Sequence, residues 1–196
     1  MEELSALAGT ECRFIPDFLD IRVADRLFRC FRSQIQWQQP VINMFGKQVP
    51  IPRMSAWYGD ENAVYTYSGI RNEPLPWTDA LLECRQKLGE VTDEIFNSVL
   101  LNQYVDGHHG MGWHSDDEPE LGHNPLICSL SLGETRCFSM RHKFDKSQRG
   151  IKLPLSHGSL LIMEGQTQKN WQHSVPKTRR TVGCRINLTF RNIDVI

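Results

Sequence analysis

The segment Trp113-His114-Ser115-Asp116 holds two residues whose types and spacing suit metal chemistry. In an extended chain successive side chains alternate faces, so His114 and Asp116 project to the same side and can hold one ion. A third ligand has to come from elsewhere. His173, 59 positions on in Asn170-Trp171-Gln172-His173-Ser174, is the candidate. Two imidazoles and one carboxylate form the facial donor set of non-haem Fe(II) sites, which leaves positions open for a co-substrate and O2. A His-x-Asp pair taken alone fits equally a polar loop in which the histidine only hydrogen-bonds a nearby carboxylate. His108, His109 and His123 are rivals by proximity, but none has a carboxylate two residues later.

The run Arg185-Ile186-Asn187-Leu188-Thr189-Phe190-Arg191 alternates with period two. Arg185, Asn187, Thr189 and Arg191 share one face, and Ile186, Leu188 and Phe190 share the other. The apolar face belongs in a core. The polar face is either an ordinary solvated surface or the lining of an anion site, where two planar guanidinium forks would suit the two ends of a small dicarboxylate. In Leu101-Asn102-Gln103-Tyr104 an amide and a phenol again share a face, one Gly-rich turn before the His-x-Asp pair. They would complete the hydrogen bonding of a bound acid, or form the polar flank of a strand end.

These side chains need elements to position them. Asp20 as a cap, with Val23, Ala24, Leu27, Phe28, Phe31 and Ile35 at helical spacing, predicts a helix over 21–35. Thr78 as a cap, followed by Leu81, Leu82, Arg85 and Leu88, predicts a second helix from Asp79 with Gly89 as its stop. The turn-rich stretch between them, with Phe45-Gly46-Lys47, Pro50, Pro52 and Tyr58-Gly59-Asp60, reads as hairpins and loops. After Asn97, β-rich runs at 98–104, 126–132, 135–140, 159–163 and 183–191 predict strands. Helices followed by many short strands predict an α+β chain with a sandwich or barrel of mostly antiparallel strands. With no internal repeat and no linker, one domain over 1–196 is expected: helices and hairpins over about 1–95, and a strand-rich core over about 96–196.

Composition narrows the class. The chain has 196 residues, 40% hydrophobic and 23% charged, which excludes disorder and collagen-like repeats. No apolar run approaches the roughly 20 residues of a membrane helix, and Glu2 and Glu3 argue against a signal peptide, so no membrane partner is expected. None of the six cysteines is spaced as C-x-x-C, which argues against a zinc ribbon. Several lie in apolar runs, so an intracellular, reducing compartment is expected: cytoplasmic in a bacterium, nuclear in a eukaryote. The net charge of −1 hides a split. Residues 1–135 carry 10 basic and 20 acidic side chains, whereas residues 136–191 carry 12 basic and 2 acidic. Such asymmetry gives either a face for an anion or phosphate backbone, or basic strands neutralised by the acidic half.

Taken together, these motifs resemble the AlkB family of Fe(II)- and 2-oxoglutarate-dependent dioxygenases. The segments that carry the resemblance are 96–104, His114-Ser115-Asp116-Asp117-Glu118-Pro119, Ser129-Leu130-Ser131-Leu132-Gly133, 155–163 and Arg185 to Arg191. Within the family the chain is similar to the second and third animal homologues, which repair alkylated nucleic acid. The resemblance implies a double-stranded β-helix (jelly roll) core, with N-terminal helices and a hairpin extension that grips nucleic acid. It implies Fe(II) on His114, Asp116 and His173, and O2 and 2-oxoglutarate as co-substrates. Arg185, helped by Tyr104, would hold the distal carboxylate of 2-oxoglutarate. Arg191 and Asn102 would sit near its metal-bound end, supported by Asn187 and Thr189; which arginine takes which carboxylate stays open.

The implied activity is oxidative demethylation of 1-methyladenine and 3-methylcytosine, with release of succinate, CO2 and formaldehyde. The expected partner is nucleic acid, DNA before RNA, met by a monomer. Phe45-Gly46-Lys47 resembles a finger whose aromatic tip fills the gap left by a flipped base, although Phe45 would serve equally as a hairpin tip packed on the body. Lys47, Arg53, Arg141, His142 and Lys143 are candidates for phosphate contacts. Tyr65 and Tyr67 match positions that line a base pocket. Asp117 or Glu118 would favour the cationic lesion over neutral bases, or else form a solvated acidic turn. Three rivals stay open: the same class acting on RNA, single strands or a protein side chain; a catalytically dead nucleic-acid-binding module; and a zinc hydrolase. The intact ligand and arginine set argues against the second, and the paired arginines argue against the third.

Overall fold

The alternation in the second half of the chain resolves into two facing sheets of antiparallel strands. The computed structural model describes residues 5–194 apart from 8, 45, 68 and 69. In chain order its elements are β1 (Ser5–Ala6), β2 (Cys12–Ile15), α1 (Ile21–Gln34), β3 (Val41–Met44), β4 (Lys47–Pro50), β5 (Met54–Gly59), β6 (Tyr65–Tyr67) and β7 (Ile70–Asn72). There follow α2 (Asp79–Thr92), β8 (Ser98–Tyr104), β9 (Met111–His114), β10 (Ile127–Gly133), β11 (Arg136–His142), β12 (Ile151–Leu155), β13 (Leu160–Met163), α3 (Thr167–Asn170), β14 (Trp171–Val175) and β15 (Arg185–Arg191). The larger sheet runs β1-β2-β13-β10-β15-β8-β5 and the smaller β12-β11-β14-β9. β3–β4 and β6–β7 are separate hairpins. This is the expected jelly roll with helices and hairpins added before it.

Two cores hold the layers. Ile186, Leu188 and Phe190 of β15 face the helices and pack with Leu27 and Phe31 of α1 and Leu81 and Leu88 of α2. The second core lies between the sheets and includes Ile127, Phe138, Met140, Leu161 and Trp171. The helices form for local reasons. Asp20 Oδ1 accepts from the Arg22 N–H at 2.8 Å, and Ala24, Leu27 and Phe31 give α1 one buried stripe. Thr78 Oγ1 accepts from the Leu81 N–H at the start of α2. Gly89 does not stop that helix, which runs to Thr92 and ends on Asp93 at φ 57°, ψ 21°. Gly89 lies one turn earlier, where a Cβ would stand 3.2 Å from the Glu94 carbonyl oxygen, so it lets the exiting chain fold back.

The stretch between the helices holds hairpins, as expected, in β3–β4 and β6–β7, but also β5, which pairs with β8 from Met54↔Gln103 to Gly59↔Ser98. β2, β12 and β14 lie outside the runs that the sequence marks as strands, and β9 is marked only as an extended segment at His114. They are only four or five residues long, so even the alternation of Ile151-Lys152-Leu153-Pro154-Leu155 and of Trp171-Gln172-His173-Ser174-Val175 is too brief to stand out. β12 contains Pro154, which is tolerated because β12 is an edge strand.

β10 ends on Gly133 at φ +86°, where a Cβ would collide with the Cys184 carbonyl oxygen and the Phe28 ring. Both the left-handed backbone and the contact with α1 demand glycine there. Gly133→Ala is therefore expected to lose about 2 kcal/mol or more of stability, read as a lower urea midpoint.

Candidate active site

The cavity between the sheets collects side chains from both walls. β8, β10, β13 and β15 supply one side and β9, β11 and β14 the other. His114 ends β9 and lies directly across from His173 of β14 in the strand register. Asp116 comes from the loop beyond β9, which is tied down twice. Ser115 Oγ donates to the Trp171 carbonyl at 2.8 Å, and the Asp116 N–H donates to Gln168 Oε1 at 3.0 Å. One ligand atom from each of His114, Asp116 and His173 lies within 4.8 Å of the others. His114 Nε2 is 3.8 Å from Asp116 Oδ1, and His173 Nε2 is 3.8 Å from Asp116 Oδ2.

The protonation states suit a metal. His114 Nδ1 donates to the Gly112 carbonyl at 2.9 Å; a carbonyl only accepts, so the proton sits on Nδ1 and Nε2 presents a lone pair. Burial pushes the His173 imidazole down to about 4, so it is neutral at pH 7. Burial alone would raise Asp116, but the charge of Arg191 above all, with smaller electrostatic contributions from His173 and His114, holds it below the usual carboxylate range. The Phe138 ring lies at 24° to His173, 5.2 Å between centroids, and fixes the imidazole from the side. Two imidazoles and one carboxylate on one side of a cavity fit a divalent ion such as Fe(II).

The other end of the cavity is built around a cation. Arg185 is 1% exposed. Its Nη2 donates to Ser131 Oγ at 2.9 Å and to Asn187 Oδ1 at 2.7 Å. Asn187 Oδ1 also accepts from Ser129 Oγ at 2.9 Å, while Asn187 Nδ2 donates to Thr189 Oγ1 at 2.8 Å. Nε and Nη1 of Arg185 are buried without a hydrogen-bond partner, and no carboxylate among the described residues pairs with the group. Burial pushes the guanidinium down to about 10. The Tyr104 ring stands beside it, 5.3 Å from the guanidinium carbon. Arg191, six residues along β15, reaches the metal-ligand end, with Nη2 3.8 Å from Asp116 Oδ2. An ion of one sign is thus provided for at each end.

The structure brings together in one cavity the whole metal set and all six candidates for the co-substrate: Asn102, Tyr104, Arg185, Asn187, Thr189 and Arg191. Arg53 joins them from an unexpected direction. It is 5% exposed and its Nε donates to Asn102 Oδ1 at 2.9 Å, so it braces the cavity wall and has little surface to offer a phosphate backbone. Lys143 is also engaged: Nζ donates to Asp117 Oδ2 and to the Gln168 carbonyl, each at 2.8 Å. His142 Nδ1 accepts from the Asp145 N–H at 2.8 Å and its ring meets Trp171 edge-on, so it shapes its own loop. Arg141 lies on the outer face, against Trp113.

Glu118 Oε2 is buried and without a hydrogen-bond partner among the described residues. Gly46 and Lys47 are exposed at the β3–β4 turn, Gly46 at φ +77°. Phe45 lies outside the described residues; Tyr65 and Tyr67 occupy alternate positions of β6. Sequence reasoning missed Gln168, Ser129, Ser131 and Phe138 as site residues. Only the two serines had a signal, as alternate polar residues in an otherwise apolar strand.

Comparison with known proteins agrees with this geometry. Residues 11–191 match the 2OG-Fe(II) oxygenase superfamily. The chain is 43% identical over 186 residues to alpha-ketoglutarate-dependent dioxygenase alkB homolog 3 of Mus musculus, covering 91% of this chain and 64% of that protein. It is 40% identical over 179 residues to DNA oxidative demethylase ALKBH2 of Mus musculus, covering 87% of this chain and 75% of that protein. The chain thus spans just under two thirds of the length of its alkB homolog 3 relatives. The solved structure of OsALKBH1 superposes with a TM-score of 0.58 at 17% identity, over 95% of this chain and all of that one, and so shares the fold. The jelly roll, the His-Asp-His centre and these matches together place the chain in the 2OG-Fe(II) oxygenase superfamily, as a member of its AlkB family.

Proposed function

We propose that this protein is a nucleic-acid repair dioxygenase that oxidatively removes alkyl groups from the ring nitrogens of damaged bases such as 1-methyladenine and 3-methylcytosine, in DNA before RNA. The observation that carries the reading is Arg185, a buried guanidinium without a carboxylate in the same cavity as a His-Asp-His centre. An unpaired buried charge costs several kcal/mol, so the arrangement makes sense when an anionic ligand completes it. A hydrolase would have no use for that anion. Curated relatives named for the dioxygenase and DNA demethylase activities support the same reading.

Fe(II) held by His114, Asp116 and His173 would supply, with 2-oxoglutarate and O2, the oxidant for the N-alkyl carbon, with succinate, CO2 and formaldehyde as products. The chain's own residues bind and orient. Arg185 takes one carboxylate of 2-oxoglutarate, with Asn187 fixing the guanidinium plane and Thr189 fixing Asn187. Arg191 and Asn102 serve its metal end, and Arg53 holds the Asn102 carbonyl oxygen so that the Asn102 amide N–H2 is left for the ligand. Met111, Phe138 and Val175 keep the cavity dry. Asp117 is engaged by Lys143, so Glu118, with its unpartnered buried oxygen, is the better acceptor for a cationic base. The β3–β4 and β6–β7 hairpins supply the surface that meets the strand, with Lys47 exposed for phosphate. The catalytic unit is one domain, acting as an intracellular monomer.

The direct test is formaldehyde and succinate release from 3-methylcytosine placed in single-stranded DNA, duplex DNA and RNA. Release from the DNA substrates, lost together with bound iron in His114→Ala, is expected; no release from any of the three would sink the proposal. Arg185→Met separates ligand binding from folding. The wild-type melting temperature should rise with 2-oxoglutarate and the variant's should not, while the unliganded variant should match or exceed the wild type because a buried charge is gone. For Glu118→Gln, selectivity for the charged lesion over a neutral etheno-base should fall by about tenfold; unchanged selectivity removes Glu118 from that role.

A further inference from the structure

Trp113 immediately precedes the ligand His114, yet it points the other way. Its exposure is 41%, large for an indole on a strand, and it is absent from the cavity lining. Its neighbour is Arg141, whose guanidinium carbon stands 4.3 Å from the ring centroid. Arg141 is held in place: Nε and Nη2 both donate to Gln172 Oε1, at 3.1 and 2.8 Å, and Gln172 is its cross-strand partner on β14. Since His173 lines the cavity, Gln172, Arg141 and Trp113 share the outer face of the smaller sheet.

We propose that Trp113 and Arg141 form a stacking platform for an unpaired stretch of nucleic acid next to the nucleotide in the cavity. The inference rests on the nucleic-acid reading above and adds to it a surface and a strand preference. Three observations choose this occupant. Arg141 forms no ion pair with any described residue, and Lys152 adds a second cation; the outward positions of β9, β11, β12 and β14 carry no carboxylate. Among the large apolar side chains of β9, β11, β12 and β14 the exposed one is Trp113, with Phe144 exposed in the loop beyond β11; isolated rings of this kind suit a nucleobase better than a protein interface with its several buried anchors. The rim between cavity and platform is low: β9 is an edge strand, and Gly112, beside Trp113, is exposed with open space where a side chain would be.

A strand leaving the cavity can cross at Gly112, lay one base on the indole and bring a phosphate to Arg141. Stacking is indifferent to base identity, since every base has a π-face, and the guanidinium adds a cation–π contact. A duplex keeps its bases stacked and paired, so it can use Arg141 but not Trp113. The platform therefore favours single strands.

The test is fluorescence anisotropy with the full chain and a dye-labelled oligonucleotide of about 15 nucleotides, single-stranded or as a duplex. Trp113→Ala should weaken single-strand binding about tenfold and duplex binding less than about twofold, and Trp113→Phe should restore most of the loss. Arg141→Gln should weaken both and lower the salt dependence by about one ion. Thermal melts of the variants separate a lost contact from a lost fold. Unchanged single-strand binding in Trp113→Ala, or an equal loss on both substrates, would overturn the platform. Wild-type protein that binds neither oligonucleotide would instead remove the nucleic-acid reading, and the platform with it.

Discussion

Two guanidinium groups buried on one face of β15 set the terms for the rest of the molecule. Arg185 and Arg191 are almost wholly enclosed, and each ion taken out of water costs several kcal/mol unless it is matched. The strand stays central because its other face contributes Ile186, Leu188 and Phe190, all fully buried against the helices, at about 1.5–3 kcal/mol each. α1 and α2 are therefore more than a cover. By burying the apolar side of β15 they let its polar side turn inward and hold cations where a soluble protein would otherwise place leucines.

The partners of the two arginines differ, and the difference divides the cavity. Arg191 lies beside Asp116, the one carboxylate among the residues lining the cavity, and that carboxylate is shared with His114 and His173. Among the described residues Arg185 has neutral partners: the Ser131 hydroxyl, the Asn187 carbonyl oxygen and the Tyr104 side chain. One acid against two bases leaves the cavity net positive. Under the proposed function, a divalent cation and a dicarboxylate entering together leave that balance unchanged, whereas either alone shifts it by two charges. The site is thus electrostatically suited to hold the pair.

Much of this was legible in the sequence because strands with one apolar and one polar face announce themselves. β15 and β8 read correctly down to which residues share a face, and β15 against β8 brings Arg185 opposite Tyr104 and Asn187 opposite Asn102. Their spacing makes His114 and Asp116 neighbours on one face of an extended segment. They do reach the same cavity, but β9 ends at His114 and a loop anchored by Trp171 and Gln168 delivers Asp116. Gln168 was unreadable, because a glutamine in a four-residue helix gives no signal of the backbone N–H it will meet 52 positions away. The sequence offers Arg53 as a phosphate contact for a similar reason. What buries it is the pairing of β5 with β8, a contact across about half a hundred residues of chain that local patterning does not contain.

The charge split shows how far composition can mislead about partners. Of the basic residues between 136 and 191, Arg185 and Arg191 are inside, and so is Arg136, which donates to the carbonyls of Asp106, His109 and Pro176 and clamps a loop. Lys143 is paired with Asp117. The field left for a polyanion is smaller and more local than the count of 12 suggests, and a weak diffuse field cannot by itself supply affinity. Under the proposed function, recognition of nucleic acid then has to come from a few placed groups: a lysine at a hairpin turn, a carboxylate with one unsatisfied oxygen, and an indole clamped by an arginine. Such groups act at contact distance. On that reading they would discriminate by the shape and charge of one nucleotide and its neighbour, which is what finding a single altered base requires.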